Sequence, residues 1–429
     1  MKGVNIILVY LLFFMGLADF SFGQTQLGQE TNDRLNTITT AVPFLIIAPD
    51  SRAGAMGEAG VATTPDVSSI HWNPSKLAFV EDEFGAAVSY SPWLRGLNIN
   101  DIFLGYVSGY KKIDKMQAVG ASMRYFSLGN ITFTNEYGEF IQDYEPQELA
   151  FDVAYSRLLT DNLSGGIALR YINSNLTGGQ TTAGADTKPG RAVAVDVSAY
   201  YVNENIKILE KDAEFALGMN ISNIGNKMSY SSTSNRDFIP INMRIGPRMT
   251  YKIDDFNAIS FTFDVNKLLV PSPPLYAEDG SGELLAGKDP NRAVASGIFG
   301  SFTDAPGKLT KDDQGNYIVQ DDGSYEVANW SRFREEIREF NIATGIEYWY
   351  GTQFALRAGY FWEHELKGNR KFTTLGLGFK YNVFGMDLSY LIPTYFKANV
   401  TQNNPLKNTL RFTLSLNFDA FEQQQEGAQ

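Results

Sequence analysis

Segments of about ten residues that alternate apolar and polar side chains recur from Glu83 almost to the end of the chain. In one, Leu149, Phe151, Val153 and Tyr155 interleave with Ala150, Asp152, Ala154 and Ser156; in another, Ile259, Phe261, Phe263 and Val265 interleave with Ser260, Thr262, Asp264 and Asn266. A period of two is that of an extended strand with one apolar and one wet face. Fourteen such candidates lie at 83–92, 98–109, 117–127, 148–158, 163–172, 191–201, 213–222, 241–251, 257–266, 340–350, 353–362, 372–381, 384–392 and 409–418. The gaps between them are sorted by length. Those after even-numbered candidates are mostly brief (110–116, 159–162, 252–256, 351–352, 382–383), with 202–212 the longest. Those after odd-numbered candidates are longer (128–147, 173–190, 223–240, 267–339, 363–371, 393–408), and only 93–97 departs from the pattern. A soluble sandwich has no reason to sort its loops by side. A barrel closed in lipid has tight periplasmic turns, long external loops and an even strand number. The pattern therefore predicts an all-β fold: a transmembrane antiparallel β-barrel of about 14 strands over 83–418, with both termini in the periplasm of an outer membrane.

Three stretches lack this rhythm. Residues 1–23 read as a secretory signal, with Lys2 before a mostly apolar run from Val4 to Leu17 and small residues at Ser21 and Gly23. After it, no run approaches the ~18 apolar residues of a membrane helix. Residues 24–82 are rich in Ala, Gly, Thr and Asp, with an apolar stretch at Phe44–Ile47. They predict an irregular, partly helical segment that covers or enters a barrel opening. Residues 267–339 form a long loop carrying Pro271, Pro273 and Pro274. Within it, Tyr317–Gln320 and Tyr325–Val327 predict a small hairpin, and 331–340 a charged helix. A loop of this length predicts an external docking surface or lid. A short tail, 419–429, follows the last strand. Pro247, inside a strand candidate, predicts a bulge or kink and with it a small lateral gap.

Turning the apolar residues to lipid sends Arg124, Arg170, Arg244, Arg248, Arg357, Lys380 and Arg411 inward, together with Asp152, Asp196, Asp264, Glu347 and Asp387. The assignment is forced, because each cation at the lipid midplane would cost about 2–4 kcal/mol. Both signs are present, as a mutually paired, plugged interior requires; an open anion channel would carry mostly one sign. Phe126, Trp349, Phe361, Gly218, Gly376 and Gly378 fall on the same side and predict a filled or narrowed lumen.

The chain of 429 residues has no Cys and a net charge of −12. The first excludes thiolate chemistry and disulfides, and the second argues against a nucleic-acid partner. The 30 Phe and 22 Tyr suit barrel strands and their interfacial girdles. No catalytic set, cofactor or metal site is predicted. The only two His, His71 and His364, lie far apart in sequence. Gly282–Lys288 has the glycine–lysine spacing of a phosphate loop, but Asp289 replaces the required Ser or Thr and no strand precedes it. The Asp pairs at 312–313 and 321–322 lack the spacing of an EF-hand and read as solvated turns.

The leader from Phe44 to Phe79 reads FLIIAPDSRAGAMGEAGVATTPDVSSIHWNPSKLAF. Asp50-Ser51-Arg52, Met56-Gly57-Glu58-Ala59-Gly60 and Asn73-Pro74 followed by Leu77-Ala78 resemble the start of the PorV (LptO) family, outer-membrane proteins of the type IX secretion system in Bacteroidetes. That family belongs to the FadL-like barrel group, which has fourteen strands and an N-terminal hatch. Its usual Asn-Pro-Ala hatch motif has Ser75 in the third place here. The terminal strand, Leu410 to Phe418, resembles the signal read by barrel-assembly machinery, although residues 419–429 follow it. The resemblance implies a hatch motif of Asp50, Arg52, Met56, Gly57, Asn73 and Pro74. It also implies a non-enzymatic role: binding the C-terminal signal domains of cargo proteins and carrying them from the translocon barrel to a surface complex with a PorU-like sortase. The loops 223–240, 267–339 and 393–408 would face cargo. The wider group implies an alternative, an uptake channel for hydrophobic compounds with a lateral exit at Pro247.

Overall fold

The computed structural model describes residues 35–97, 99–134, 137–179, 187–231, 236–277, 279–394 and 405–418. The expected signal segment at 1–23, the leader as far as 34 and the tail 419–429 lie outside the described residues, as do parts of the loops 173–190, 223–240 and 393–408.

Fourteen strands form one closed antiparallel sheet. They are β1 (Phe84–Pro92), β2 (Ile102–Asp114), β3 (Gln117–Leu128), β4 (Gln147–Leu158), β5 (Leu163–Asn175), β6 (Gly190–Ile208) and β7 (Lys211–Gly225). There follow β8 (Asn242–Lys252), β9 (Asn257–Leu268), β10 (Phe340–Tyr350), β11 (Phe354–Trp362), β12 (Lys371–Tyr381), β13 (Phe384–Pro393) and β14 (Thr409–Phe418). Each pairs with its sequence neighbours, and β14 closes on β1 from Phe84↔Phe418 to Tyr90↔Phe412. The periodicity works inside out. Leu169, Leu356, Leu375, Leu377, Phe151 and Phe261 are exposed on the outer wall, whereas the largest fully buried side chains are led by Arg124, Arg170, Arg248 and Arg411. Such a wall suits hydrocarbon outside and polar pairing inside.

Loop lengths are sorted more cleanly than the sequence suggests. The gap expected at 202–212 shrinks to Leu209–Glu210, because β6 and β7 run on past their apolar alternation. Both turn residues have positive φ, 50° and 66°, as a two-residue type I′ hairpin demands. The short connection expected at 93–97 becomes 93–101, since β2 starts at Ile102. Pro247 inserts no extra residue. Between β8 and β9 the ladder runs to Ile245↔Val265 and resumes at Arg248↔Thr262 in unbroken register. The missing N–H removes pairing locally, yet a Cβ on Gly246 would lie 2.1 Å from the Phe263 carbonyl oxygen, so the two backbones stay in contact. The expected bulge with its lateral gap is therefore not formed.

Residues 41–80 fold as a plug in the lumen. It comprises a 3-10 turn (Pro43–Ile46), α1 (Ser51–Gly54), α2 (Ser69–Trp72) and a second 3-10 turn (Pro74–Phe79). Asp50 caps α1 by accepting from the Ala53 N–H (2.9 Å), and Asn73 caps the second turn, whose first residue is Pro74. These are the residue types that satisfy the orphan donors of a helix start. At the long-loop end, residues 269–339 fold as a cap. It holds a hairpin (Leu275–Tyr276 with Leu284–Ala286), α3 (Val294–Gly300), the bridges Leu309↔Val327, Lys311↔Tyr317 and Val319↔Tyr325, and α4 (Ser331–Arg338). Among the described residues, no helix is long and apolar enough to cross a membrane.

Candidate functional site

The plug is held to the wall by charge and by wall glycines that let it approach closely, both on β10 and β11. Arg52, on α1, donates Nε and Nη2 to Glu347 of β10 (2.9 and 2.8 Å) and Nη1 to Asp66 (2.9 Å). Glu347 also accepts from Arg357 Nε of β11 (2.7 Å), and Arg357 Nη1 reaches Asp387 of β13 (2.6 Å). Thus one carboxylate ties the plug to two strands through planar guanidinium forks. Asp264 of β9 accepts the Gly60 and Val61 N–H groups (2.7 and 2.9 Å). Arg248 of β8 donates Nε to the Ala62 carbonyl (2.8 Å) and pairs with Glu214. Arg411 of β14 pairs with Glu58 (2.8 Å). Arg244 lies over the Trp72 ring at 4.9 Å, a cation–π placement.

A second cluster lies in the β3–β6 wall. Asp152 pairs with Arg170 and faces Arg124 (3.6 Å), Arg170 Nη2 reaches Asp196 (3.0 Å), and Arg124 Nη1 donates to the plug carbonyl of Leu45 (2.7 Å). Arg124, Asp152 and Asp196 are wholly buried, where an unpartnered charge would cost several kcal/mol. Lys380, on the inward side of β12, is exposed at the short-turn end over the Trp349 ring.

Arg52, Met56, Gly57, Asn73 and Pro74 sit against the wall, and Asp50 acts within the plug. Asp50 accepts the Trp72 indole N–H (2.6 Å) as well as capping α1. Asn73 donates to the carbonyls of Val61 and Ala199 (2.9 and 3.0 Å). Met56 and Gly57 press against wall glycines: a Cβ on Gly345 would lie 2.4 Å from Met56 Cβ, and one on Gly359 would lie 2.1 Å from the Gly57 nitrogen. Gly57 itself has φ +67°, which favours glycine.

Sequence reasoning missed Lys76, Glu214 and Trp72, and gave Glu58 no partner. Lys76 is wholly buried and donates Nζ to the Gly60 carbonyl (3.0 Å) and Thr63 Oγ1 (2.8 Å), bracing one plug turn against another. No periodicity marks a lysine in an irregular segment. It missed the cap network too. Lys267 donates to Glu339 (2.6 Å) and Glu336 (3.3 Å), Lys367 to Glu335 and Glu339 (2.9 and 3.1 Å), and Arg292 pairs with Asp304. Burial pushes the carboxyls of Asp304 and Glu336 above their ordinary range. Among the described residues, no group of His, Asp or Glu could hold a metal ion.

The family model described as type IX secretion system protein PorV matches residues 29–275, well over half of the 429 residues. The chain belongs to the PorV family. It is an outer-membrane component of the type IX secretion machinery. Among curated proteins, none matches the sequence. Solved structures similar to this PorV-family barrel include the Pseudomonas putida toluene transporter TodX, at 13% identity, 86% of this chain, 99% of that chain and a TM-score of 0.45. The Ralstonia pickettii toluene transporter TbuX follows, at 10%, 86%, 98% and 0.44. A Pseudomonas aeruginosa FadL homologue is similar at 12%, 90%, 99% and 0.39. At such identities nothing about substrate passes to this chain.

Proposed function

We propose that this chain binds the C-terminal signal domains of cargo proteins and carries them from the translocon barrel to a surface attachment complex containing a PorU-like sortase. The role is non-enzymatic, and the short turns and the end of β14 lie in the periplasm, whereas Asn36, near the start of the described residues, donates to the carbonyls of Leu366 and Pro273 at the long-loop end. The observation that carries the reading, within a type IX family, is the plug. Its contacts with β6, β8, β9, β10, β11 and β14 fill the lumen with paired charges. A folded partner therefore meets the barrel from outside, and the 269–339 cap offers a large ordered surface at the long-loop end.

The test is a deletion strain complemented with the full chain, or with a chain in which 309–327 is replaced by a short glycine-rich turn. Cargo secretion and surface anchoring are followed, and membrane pull-downs are read by mass spectrometry. Loss of anchoring and of cargo capture, with the barrel still assembled, supports the role. Cargo secreted and anchored normally in the deletion strain overturns it. The alternative, uptake of hydrophobic compounds, called for a lateral gap at Pro247 that is not formed. It would require an apolar path through a region where Arg248, Asp264 and Glu214 are paired to plug or wall.

A further inference from the structure

Helix α4 is mounted inside out. Its carboxylates, Glu335 and Glu336, and that of its C-cap Glu339 point into the protein, where they accept from Lys267, Lys367 and the N–H groups of Ala305 and Gly307. Its apolar side chains face out. Trp330, Phe333 and Ile337 are 73%, 57% and 51% exposed. Phe333 and Ile337, four apart, share one helix face, and Trp330, the residue before the helix, joins them in one ridge by stacking edge to face on Phe333 at 6.0 Å. Trp330 holds φ 63°, an outlier for a bulky residue. Arg332 and Arg334 are exposed beside the ridge, in a chain whose net charge is −12.

The position of the helix says what covers this ridge. On β9 the inward side chains are Thr262, Asp264 and Asn266, so Phe263, Val265 and Lys267 point outward. Lys267 pairs with Phe340 in the β9–β10 ladder, two rungs beyond the outward pair Val265↔Ile342, a rise of about 7 Å along the strand. That outward lysine lies against the rings of Phe302 and Phe340 (5.6 and 5.2 Å) and is held by Glu336 and Glu339. The helix is therefore clasped to the outer rim of the barrel above the hydrocarbon-facing band, and its last residue, Arg338, lies two residues before β10 begins. Trp and Phe are the side chains enriched at the level of lipid headgroups, and arginine pairs there with phosphate.

The geometry points to α4 as a lipid-interface anchor. The ridge Trp330–Phe333–Ile337 rests in the boundary between headgroups and acyl chains, and Arg332 and Arg334 meet lipid phosphates. By fixing α4 to the membrane surface, this contact holds the cap at a set height above the bilayer. The inference stands independently of what the cap binds.

The chain has no Cys, so Phe333→Cys accepts a polarity-sensitive fluorophore at one site. The full-length labelled barrel is placed in vesicles of phosphatidylcholine, with or without phosphatidylglycerol, and barrel integrity is checked by heat-dependent gel migration. A second measurement subtracts the emission of Trp330→Phe from that of the parent in lipids brominated near the headgroup. Blue-shifted label emission, loss of the Trp330 contribution to quenching lipid, and a weakening of both by Arg332→Gln with Arg334→Gln in phosphatidylglycerol are expected. Water-like emission in vesicles, or a Trp330 contribution unchanged by brominated lipid, overturns the proposal. So does emission that turns apolar only when a second protein co-purifies.

Discussion

Glu347 is the junction at which one side chain holds both plug and wall, and Glu347→Gln isolates its charge at constant size. The carboxylate accepts two bonds from Arg52 (2.9 and 2.8 Å) and one from Arg357 (2.7 Å). Oε1 takes both Nε donors and Oε2 takes Arg52 Nη2, so glutamine with its oxygen in the Oε1 place loses one bond outright and keeps two without the charge. A bond to a charged group contributes about 1.5–3 kcal/mol. Arg52 keeps Asp66 and Arg357 keeps Asp387, which softens the cost of a wholly orphaned buried charge, about 3–5 kcal/mol. A loss of about 3 kcal/mol follows from these two bounds. Urea unfolding of the refolded barrel in vesicles measures it. Because Arg52 belongs to the plug and Arg357 to the wall, the double variant with Arg52→Gln should show a coupling above about 0.5 kcal/mol. A reporter Ala53→Cys, buried in the parent, should become accessible to a maleimide in the Glu347→Gln background. Stability within about 0.5 kcal/mol of the parent, together with an unlabelled reporter, would refute the idea that this charge fixes the plug.

Two further outcomes follow from packing and from titration. Gly359→Ala should displace the plug or destabilise the barrel by at least about 1–3 kcal/mol, since its Cβ would fall on the backbone of Met56 and Gly57; Gly165→Ala, with only ordinary contact to Leu159, should leave both unchanged. Maleimide access and urea midpoints compare the two. The Asp304 and Glu336 carboxyls should make their part of the cap's stability fall as pH rises. Folding raises the Asp304 and Glu336 carboxyls above their unfolded values, so their protonated forms favour the folded cap. That contribution is then greatest below the ordinary carboxylate range and declines as pH rises through the raised values. Hydrogen exchange across 294–339, corrected for intrinsic rate, reads this; protection that rises with pH through that window would contradict it.

Much of the wall was legible because period-two alternation is local: it states which side chains share a face without reference to any other strand. That is why all fourteen strands and the loop sorting could be marked from residues alone, and why β6 was cut short where Asn203–Lys207 interrupt the alternation. The charged helix in the long loop was legible for the same reason, from the spacing of Arg332, Arg334, Glu335, Glu336 and Glu339. Its orientation was not. A helical wheel prefers the apolar stripe inward, whereas here Lys267 and Lys367 draw the carboxylates in and leave Trp330, Phe333 and Ile337 outside.

By itself the sequence determined the architecture: fourteen amphipathic strands, connections sorted by side, an enclosed set of charges of both signs, and a leader with the marks of its family. Only the tertiary structure decided the partners. That Arg52 meets Glu347 across 295 residues, that Asp264 receives the Gly60 N–H, and that Lys76 braces the plug turns on itself depend on how the barrel closes and where the plug seats. Those are non-local distances, which no window along the chain contains.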